Sequence, residues 1–197
     1  MKLLPGSGLV GLALVLAACG GEPAETPEPG TTVGEEAGAE LTGLASTYSD
    51  VDLEKCELLG EEREEGSSAK WRCDGFGAVP LIVKEGDGRF DVDVGVESDD
   101  FATIGAFNAI GKTVEWRLRD GKPFAVIFRY EDATEGAAGR TVLAVEKVGA
   151  AGKPGCRVGQ VAGDTPDANQ VARDMADSAA ADFVCGQDEP AMIGNAL

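Results

Sequence analysis

Two stretches near the middle of the chain alternate between apolar and charged residues. Residues 90–97 place Phe90 and three valines on one side and the acidic Asp91 and Asp93 on the other. Residues 114–119 repeat the alternation with acidic and basic partners. A period of two is typical of a β-strand that buries one face and exposes the other to water. The chain is therefore constrained to build a sheet with one apolar face.

Five further runs with strand character surround these two stretches. They lie at residues 69–73, 79–83, 124–130, 141–148 and 156–161. Pro80 cannot donate a backbone hydrogen bond, which predicts an edge position for its strand. The sequence Gly86-Asp87-Gly88 predicts a hairpin turn before the strand at 90–97.

The turn that follows Leu118 is interpreted through the strand pairing that it would produce. A three-residue loop at 120–122 pairs Leu118 with Phe124. The same loop places Trp116 opposite Val126, whereas a two-residue loop sets a charged residue opposite Phe124. Because register follows the buried face, we expect the three-residue loop.

Two helices are predicted from apolar residues at helical spacing. The first covers residues 99–110, with apolar positions at Phe101, Ile104, Phe107 and Ile110. The second covers residues 166–184, with Thr165 as N-cap and an apolar stripe at Val171, Ala172, Met175, Ala179 and Phe183. The expected fold class is α+β: an antiparallel curled sheet of about five to six strands with a C-terminal helix packed on one face.

The first residues, 1–18, have the features of a secretory signal peptide, in which Lys2 precedes an apolar run that ends in small residues. The ending Leu16-Ala17-Ala18-Cys19 resembles the lipobox of bacterial lipoproteins. That resemblance implies attachment of lipid to Cys19 and cleavage just before it. An ordinary signal peptide with an accidental cysteine is the alternative. Under the sorting rule of enterobacterial lipoproteins, Gly20 in place of aspartate favours the outer membrane over the inner.

Residues 19–44 are predicted to be the lipidated cysteine followed by a disordered tether. Beyond Cys19 this segment contains six glutamates, three prolines and neither Lys nor Arg, with little apolar surface to bury. Residues 45–197 are then expected to fold as a single α+β domain.

The chain is strongly acidic, with 35 acidic and 17 basic side chains and a formal net charge of −18. Nucleic-acid binding depends on Lys and Arg side chains that neutralise phosphates, so we expect no nucleic-acid partner. Attraction to anionic lipid headgroups is excluded for the same reason. The lipid on Cys19 is therefore the expected link to the membrane.

Besides Cys19 the chain has four cysteines, Cys56, Cys73, Cys156 and Cys185. An even number in an exported domain indicates disulfides, and four cysteines allow three pairings. We expect neighbours in the sequence to pair, Cys56 with Cys73 and Cys156 with Cys185. A thiolate metal site is the alternative, but the chain has neither a C-x-x-C pair nor a histidine, so no metal is expected.

The absence of histidine removes the commonest catalytic base and the familiar nucleophile arrangements. Catalysis by carboxylates alone needs no histidine, and the nearest candidates are Asp91, Asp93, Asp99 and Asp100. The alternation of Asp91 and Asp93 with apolar residues favours a solvated strand face instead. Phosphate-binding and dinucleotide-binding glycine motifs do not occur, so we expect neither a cofactor nor an enzymatic activity.

The solvent-exposed face of the predicted strands also carries basic residues, namely Arg117, Arg119, Arg129, Lys70 and Arg72. In one interpretation they form a basic patch, centred on the three arginines, for an anionic partner. The more usual arrangement is pairing across strands with acidic neighbours, here Glu115 or Glu131.

Three further motifs bear on the folded part of the chain. They are Tyr48-Ser49-Asp50 before Cys56, Phe107-Asn108 before the strand at 114–118, and Ala181-Asp182-Phe183 before Cys185 and Asp188-Glu189-Pro190. Through these motifs, residues 48–190 resemble small, uncharacterised periplasmic proteins of alphaproteobacteria. The resemblance implies a periplasmic location and supplies no catalytic residues, since that group has no assigned activity.

Together these features predict a non-enzymatic, lipid-anchored protein of the cell envelope that faces the periplasm. It is expected to be a binding or structural module for an unknown periplasmic protein or envelope ligand. Two alternatives stay open, an inhibitor of an exported hydrolase and a carboxylate-based hydrolase. The hydrolase requires two close carboxylates in a cleft.

Overall fold

The computed structural model describes residues 43–64, 66–137 and 139–196. All of them belong to one structural unit, Ala37–Leu197. The predicted signal peptide at 1–18, the predicted lipidation site Cys19 and the tether as far as residue 42 lie outside the described residues. Within the described part of the chain, no helix has the length and apolar character needed to cross a membrane.

The described residues form eleven β-strands. In chain order they are β1 (Leu44–Asp50), β2 (Glu57–Glu62), β3 (Ser68–Cys73), β4 (Leu81–Gly86), β5 (Arg89–Val94), β6 (Asn108–Ile110), β7 (Thr113–Arg119), β8 (Lys122–Asp132), β9 (Thr141–Lys147), β10 (Arg157–Ala162) and β11 (Ala191–Ile193). A helix, α1 (Ala168–Met175), and a π-helical segment, Ala176–Ala180, lie between β10 and β11.

The strands form two sheets. The larger sheet has seven strands in the order β1-β7-β8-β9-β10-β11, with β6 also paired to β8, and the smaller has the order β2-β3-β4-β5. Neighbouring strands are antiparallel except β10 and β11, which are parallel. The prediction of a sheet-rich fold with a C-terminal helix is confirmed. The prediction of one antiparallel sheet is wrong, because alternation shows that a strand has a buried face and not which strands share a sheet.

Both sheets contribute to one apolar core. Val83 and Val92 of the smaller sheet lie in the same cluster as Trp116 and Phe128 of the larger sheet. Trp116 is 0 % exposed, and its indole N–H donates a hydrogen bond to Ser49 Oγ at 2.8 Å. Because the buried indole keeps a hydrogen-bond partner, its apolar burial stabilises the fold without leaving a polar group unpaired. Trp116 thereby fastens β1 to the core.

The helix packs on the opposite face of the larger sheet. Ala172 and Met175 lie in a second apolar cluster that includes Val161 of β10. Gly159 permits this close approach, because a Cβ at that position would lie 2.6 Å from the sulfur of Met175. The predicted apolar stripe therefore faces the sheet, although the helix is shorter than the predicted 166–184.

The helix also begins later than the sequence predicts. Its N-cap is Asp167, which has a φ of 54° in the left-handed region, and not Thr165. The backbone carbonyl of Thr165 accepts a hydrogen bond from the N–H of Ala168 at 3.1 Å. Thr165 and Pro166 therefore form a tight turn that leads into the helix, and the chain reaches helical geometry only after that turn.

The segment predicted as a helix at 99–110 is irregular as far as β6. The backbone carbonyl of Ala102 accepts hydrogen bonds from Arg157 Nη2 at 2.6 Å and from Tyr130 Oη at 3.2 Å. Two more carbonyl groups of the segment that follows β5 bind the ammonium group of Lys84. An α-helix would use these carbonyl groups internally. The helix prediction is wrong because buried cations and a phenol take the acceptors that a helix requires.

The turn between β7 and β8 is built on an Asp-Gly pair. Asp120 and Gly121 have φ values of 51° and 75°, as a two-residue type I′ turn requires. The predicted three-residue loop is wrong, because Arg119 pairs directly with Lys122. A bulge at Phe124 then restores the register, so that Trp116 does lie opposite Val126. A second Asp-Gly turn joins β4 and β5, where the sequence predicts a hairpin.

The structure contains both disulfides that the sequence predicts. Cys56, just before β2, is bonded to Cys73 at the end of β3. Cys156, just before β10, is bonded to Cys185, which follows the helical region. The edge position predicted from Pro80 is wrong, because β4 begins after this proline and lies between β3 and β5. The proline therefore removes no donor from the ladder.

Candidate functional site

The three arginines of the predicted basic patch do not lie together. Arg117 is 8 % exposed, and its Nε and Nη2 donate hydrogen bonds to the two carboxylate oxygens of Asp177 at 2.9 and 2.6 Å. Arg119 donates to the backbone carbonyl of Asp177 and stacks on the ring of Phe124. Arg129 lies further along the sheet and bonds other partners. The continuous patch considered from the sequence is therefore absent from these three positions.

The ion pairs that form also differ from the predicted pairs between neighbouring strands. Glu115 binds Arg173 of α1, with Oε1 at 2.6 Å from Nε, and does not pair with an arginine on a neighbouring strand. Lys70 forms an ion pair with Glu97. The partners of Arg117 and Glu115 come from the helical region, because that region packs over this face of the larger sheet.

The predicted carboxylate cluster is buried rather than solvated. Asp91 is 1 % exposed, and its Oδ2 lies 2.8 Å from Lys84 Nζ. Asp93 Oδ2 lies 3.0 Å from the same nitrogen. Burial raises the pKa of Asp93 and works against the charge on Lys84, yet the two carboxylates together hold the pKa of Lys84 above its usual value. Asp99 and Asp100 are exposed, and Asp100 contributes only its backbone carbonyl to Lys84, not its carboxylate.

A second group of buried polar side chains lies beside the first. Arg157 donates hydrogen bonds to the carboxylate of Glu146, to the amide oxygen of Gln160 and to the hydroxyl of Tyr130. Burial raises the pKa of Glu146 to about 7. Glu146 is 4 % exposed, so its carboxylate, like that of Asp91, is closed to a substrate. These carboxylates hold the strands and the irregular segment together and do not match the open pair that a glycosidase needs.

Two depressions in the described part of the chain share Phe90 in their linings. The first has a volume of about 580 Å³ and is lined by residues 50–55, Phe90, Ala109, Ile110 and Lys112. The second has a volume of about 330 Å³, and its lining includes Glu61, Glu62, Ala69, Trp71, Glu85 and Phe90. We call the two together the aromatic cleft.

The floor of the aromatic cleft is formed by Trp71 of β3 and Phe90 of β5. Their ring centroids are 6.4 Å apart and their planes are inclined by 25°. Strand register places both side chains on the same face as the fully buried Val83 and Val92. Unlike those valines, however, the two rings are only half-buried. The apolar face of the smaller sheet therefore continues out of the core and into the cleft.

The rim of the aromatic cleft carries an excess of negative charge. Its acidic residues are Asp50, Asp52, Glu54, Glu61, Glu62 and Glu85, and its basic residues are Lys55, Arg63 and Lys112. Lys55 Nζ lies 2.7 Å from Asp52 Oδ2, and this contact lowers the pKa of Asp52. Arg63 is paired with Glu61. The remaining carboxylates give the rim a net negative field.

The wall formed by residues 50–55 is held in place from both ends. The N–H of Val51 donates to the carbonyl of Lys112 at 2.7 Å, and a turn joins the N–H of Lys55 to the carbonyl of Asp52 at 2.9 Å. The disulfide from Cys56 ties the same loop to β3. The cleft is therefore a formed feature of the fold.

No protein-family model, curated protein or solved structure matches the chain.

The sequence predictions did not include the aromatic cleft. Trp71 lies in the strand run predicted at residues 69–73, and Phe90 lies on the apolar side of its predicted strand. One feature of the sequence indicates that Phe90 is only partly buried. It lies close to the hairpin turn at Asp87 and Gly88, where the sheet ends and burial is incomplete. The contribution of residues 50–55 could not be read from the sequence, because it depends on the disulfide and on contacts with Lys112.

Proposed function

We propose that the protein is a non-enzymatic lipoprotein of the cell envelope, anchored through Cys19 and facing the periplasm. It binds a segment of a partner protein that combines Lys or Arg with apolar side chains. The observation that carries this proposal is the aromatic cleft, in which Trp71 and Phe90 form an apolar floor beneath an acidic rim. The lipobox-like sequence supports the anchor, and the two disulfides are consistent with an oxidising compartment.

The floor and the rim favour the same kind of ligand. Aromatic rings bury a large apolar area, and their faces attract Lys and Arg. The excess of carboxylates raises the local concentration of cations and repels acidic segments. The larger depression, about 580 Å³, falls within the range of roughly 300–1,000 Å³ that is common for ligand pockets. A basic, partly apolar segment satisfies all of these features at once.

An inhibitor of an exported hydrolase would be one form of this binding. The hydrolase would then present its basic and apolar segment to the aromatic cleft. This form predicts that the bound hydrolase loses activity, whereas a structural partner is only held near the membrane. An activity assay on the captured partner therefore separates the two.

The two tryptophans provide a direct test with the full-length protein in detergent. Trp71 is half-buried in the cleft, whereas Trp116 is fully buried in the core. We expect a hexapeptide of alternating lysine and leucine to shift the fluorescence of Trp71 in a saturable and salt-sensitive way. Peptides with glutamate or glutamine in place of lysine are expected to bind at least about tenfold more weakly. Equal binding of all three peptides would overturn the proposal.

Variants then test whether the lysine peptide binds in the aromatic cleft. Replacing Glu54 and Glu62 on the exposed rim by glutamine should weaken binding of the lysine peptide by about threefold to tenfold, because part of the attraction is removed. The matched control replaces the exposed Glu135 and Glu189, which lie outside the cleft. An equal loss in both double variants would show that only the overall charge matters and would refute the cleft as the site.

A further inference from the structure

Arg129 of β8 forms no ion pair in the described part of the chain, although the protein is strongly acidic. On the same face of the larger sheet, Arg117 is neutralised by Asp177, and Arg173 of α1 is neutralised by Glu115. Arg119 has no carboxylate partner but stacks on the ring of Phe124. Arg129 instead donates only to neutral acceptors, Thr141 Oγ1 at 2.8 Å and Asn169 Oδ1 at 3.1 Å. A guanidinium has five N–H donors, so three have no acceptor among the described residues.

The guanidinium of Arg129 is held in a fixed position. One hydrogen bond ties it to β9 through Thr141, and the other ties it to α1 through Asn169. Gly163 leaves the space for this arrangement, because a Cβ there would lie 2.0 Å from Thr141 Oγ1 and 3.1 Å from Arg129 Nη1. A ligand would therefore meet donors that are already oriented, which reduces the entropy lost on binding.

Two clefts meet at Arg129. One has a volume of about 390 Å³ and includes Gly163, Thr165 and Gln170 in its lining. The other has a volume of about 250 Å³ and includes the exposed Tyr48. Both are lined by Arg129, Asn169 and Arg173. The three shared side chains place one guanidinium, an amide and a second guanidinium at the opening where the two clefts adjoin.

We propose that this opening is a binding site for a ligand with a single carboxylate group, which takes the place of the missing ion-pair partner of Arg129. A carboxylate matches the planar fork of a guanidinium and accepts two parallel hydrogen bonds from it. Glu115 is neutralised by Arg173, and the exposed carboxylate of Asp167 lies at the rim. Because Asp167 repels a second negative charge, the site favours a carboxylate over a phosphate dianion.

The site is independent of the aromatic cleft. It lies on the face of the larger sheet that α1 covers, whereas the floor of the cleft belongs to the smaller sheet. The two proposals also concern ligands of opposite charge. Failure of either one leaves the other unaffected.

The test is a titration of the full chain with N-acetylalanine, followed by NMR of the backbone amide of residue 169, which wild type and every variant retain. The matched ligand is N-acetylalanine amide, which lacks only the carboxylate, and inorganic phosphate is a third probe. For a ligand of this size we expect a Kd of about 10 mM, and at least tenfold weaker binding of the other two. Equal binding of the acid and its amide would overturn the proposal.

Three variants complete the test. Arg129→Gln is expected to weaken binding of N-acetylalanine by at least about tenfold, whereas Arg119→Gln, which changes another arginine without a carboxylate partner, leaves it unchanged. Asn169→Asp places a carboxylate of the protein itself beside Arg129. It should abolish binding without lowering Tm, so the loss cannot be attributed to unfolding. Unaltered binding in either Arg129→Gln or Asn169→Asp would contradict the site.

Discussion

Arg117 and Asp177 form a bidentate ion pair across two layers of the fold. Arg117 lies on β7, and Asp177 lies in the π-helical segment that continues α1. Nε and Nη2 of the arginine each meet one carboxylate oxygen, at 2.9 and 2.6 Å. Only a small part of either side chain reaches solvent, so water screens the pair weakly. The pair fastens the helical region to the larger sheet.

Replacement of Asp177 by asparagine is expected to lower the free energy of unfolding by about 2–4 kcal/mol. The variant preserves the shape of the side chain but leaves the buried guanidinium of Arg117 without a counter-charge. Asp174→Asn is the matched control, because Asp174 is exposed on the same helix and should change the free energy by less than about 0.5 kcal/mol. Urea denaturation measures both, and equal effects would show that Arg117 does not depend on its partner.

Glu146 should make the stability of the fold depend on pH. Burial raises its pKa to about 7, above the ordinary value of 4.5 for an unburied glutamate. Between these two values the folded state retains a proton that the unfolded state has released. The free energy of unfolding therefore falls as pH rises from about 4.5 to 7. Above that range, the stabilisation that the bound proton gives to the folded state is lost.

The measurement compares wild type with Glu146→Gln by urea denaturation at about pH 5 and pH 8. Wild type should lose about 2 kcal/mol more than the variant between these values, because glutamine does not titrate. The subtraction removes contributions of other groups, such as Asp132, whose pKa is lowered by local hydrogen bonds. The same pH dependence in both proteins would exclude Glu146 as its source.

The two disulfides should differ in their effect on the aromatic cleft. Each closes a loop, with sequence separations of 17 and 29, and each is expected to stabilise the fold by about 3 kcal/mol. Only the bond between Cys56 and Cys73 anchors the cleft wall at residues 50–55. Replacing this pair by serine should weaken binding of the lysine–leucine peptide by more than about tenfold.

Replacing Cys156 and Cys185 by serine provides the control for that experiment. At a temperature where both double variants are folded, the control should bind the peptide as wild type does, because its disulfide lies at the helical region. Equal weakening in both would indicate a general loss of order and not a specific role of the cleft wall.

The proposed lipid anchor on Cys19 predicts that radioactive palmitate labels the protein in cells and that Cys19→Ala abolishes the label. Several acyl chains give stable membrane attachment, so the variant should also leave the membrane fraction. The variant Cys56→Ser is a suitable control, because that cysteine is in a disulfide and should not affect labelling. Equal labelling of wild type and Cys19→Ala would refute the anchor.

The sequence was informative where a local pattern determines the structure. Alternation located the strands around Phe90 and Trp116, and the spacing of apolar residues located a helix near Ala172. The disulfide pairing also followed from chain order and compartment. The three-residue strand β11 carries too few residues for any period to be recognised, and the sequence did not predict it.

Long-range contacts account for the errors. Alternation marks Asp91 as facing away from the valines, but it does not show that Lys84 and the segment after β5 cover that face. The helix predicted at 99–110 fails because Arg157, some 50 residues away, binds the carbonyl of Ala102. Likewise, the environment of Arg129 depends on Asn169, which is 40 residues distant and lies on the helix.

Strand β1 has a mechanical consequence for a tethered protein. Its first end lies beside the β7–β8 turn, where the N–H of Asp120 donates to the carbonyl of Gly43, and its last residue, Asp50, lines the aromatic cleft. A partner that pulled on the cleft against a membrane anchor would draw β1 along its own axis. All seven residue pairs between β1 and β7 would then carry the load together, in shear, and would not open one after another. If the proposed anchor and partner exist, the pairing of β1 with β7 would resist the tension between them.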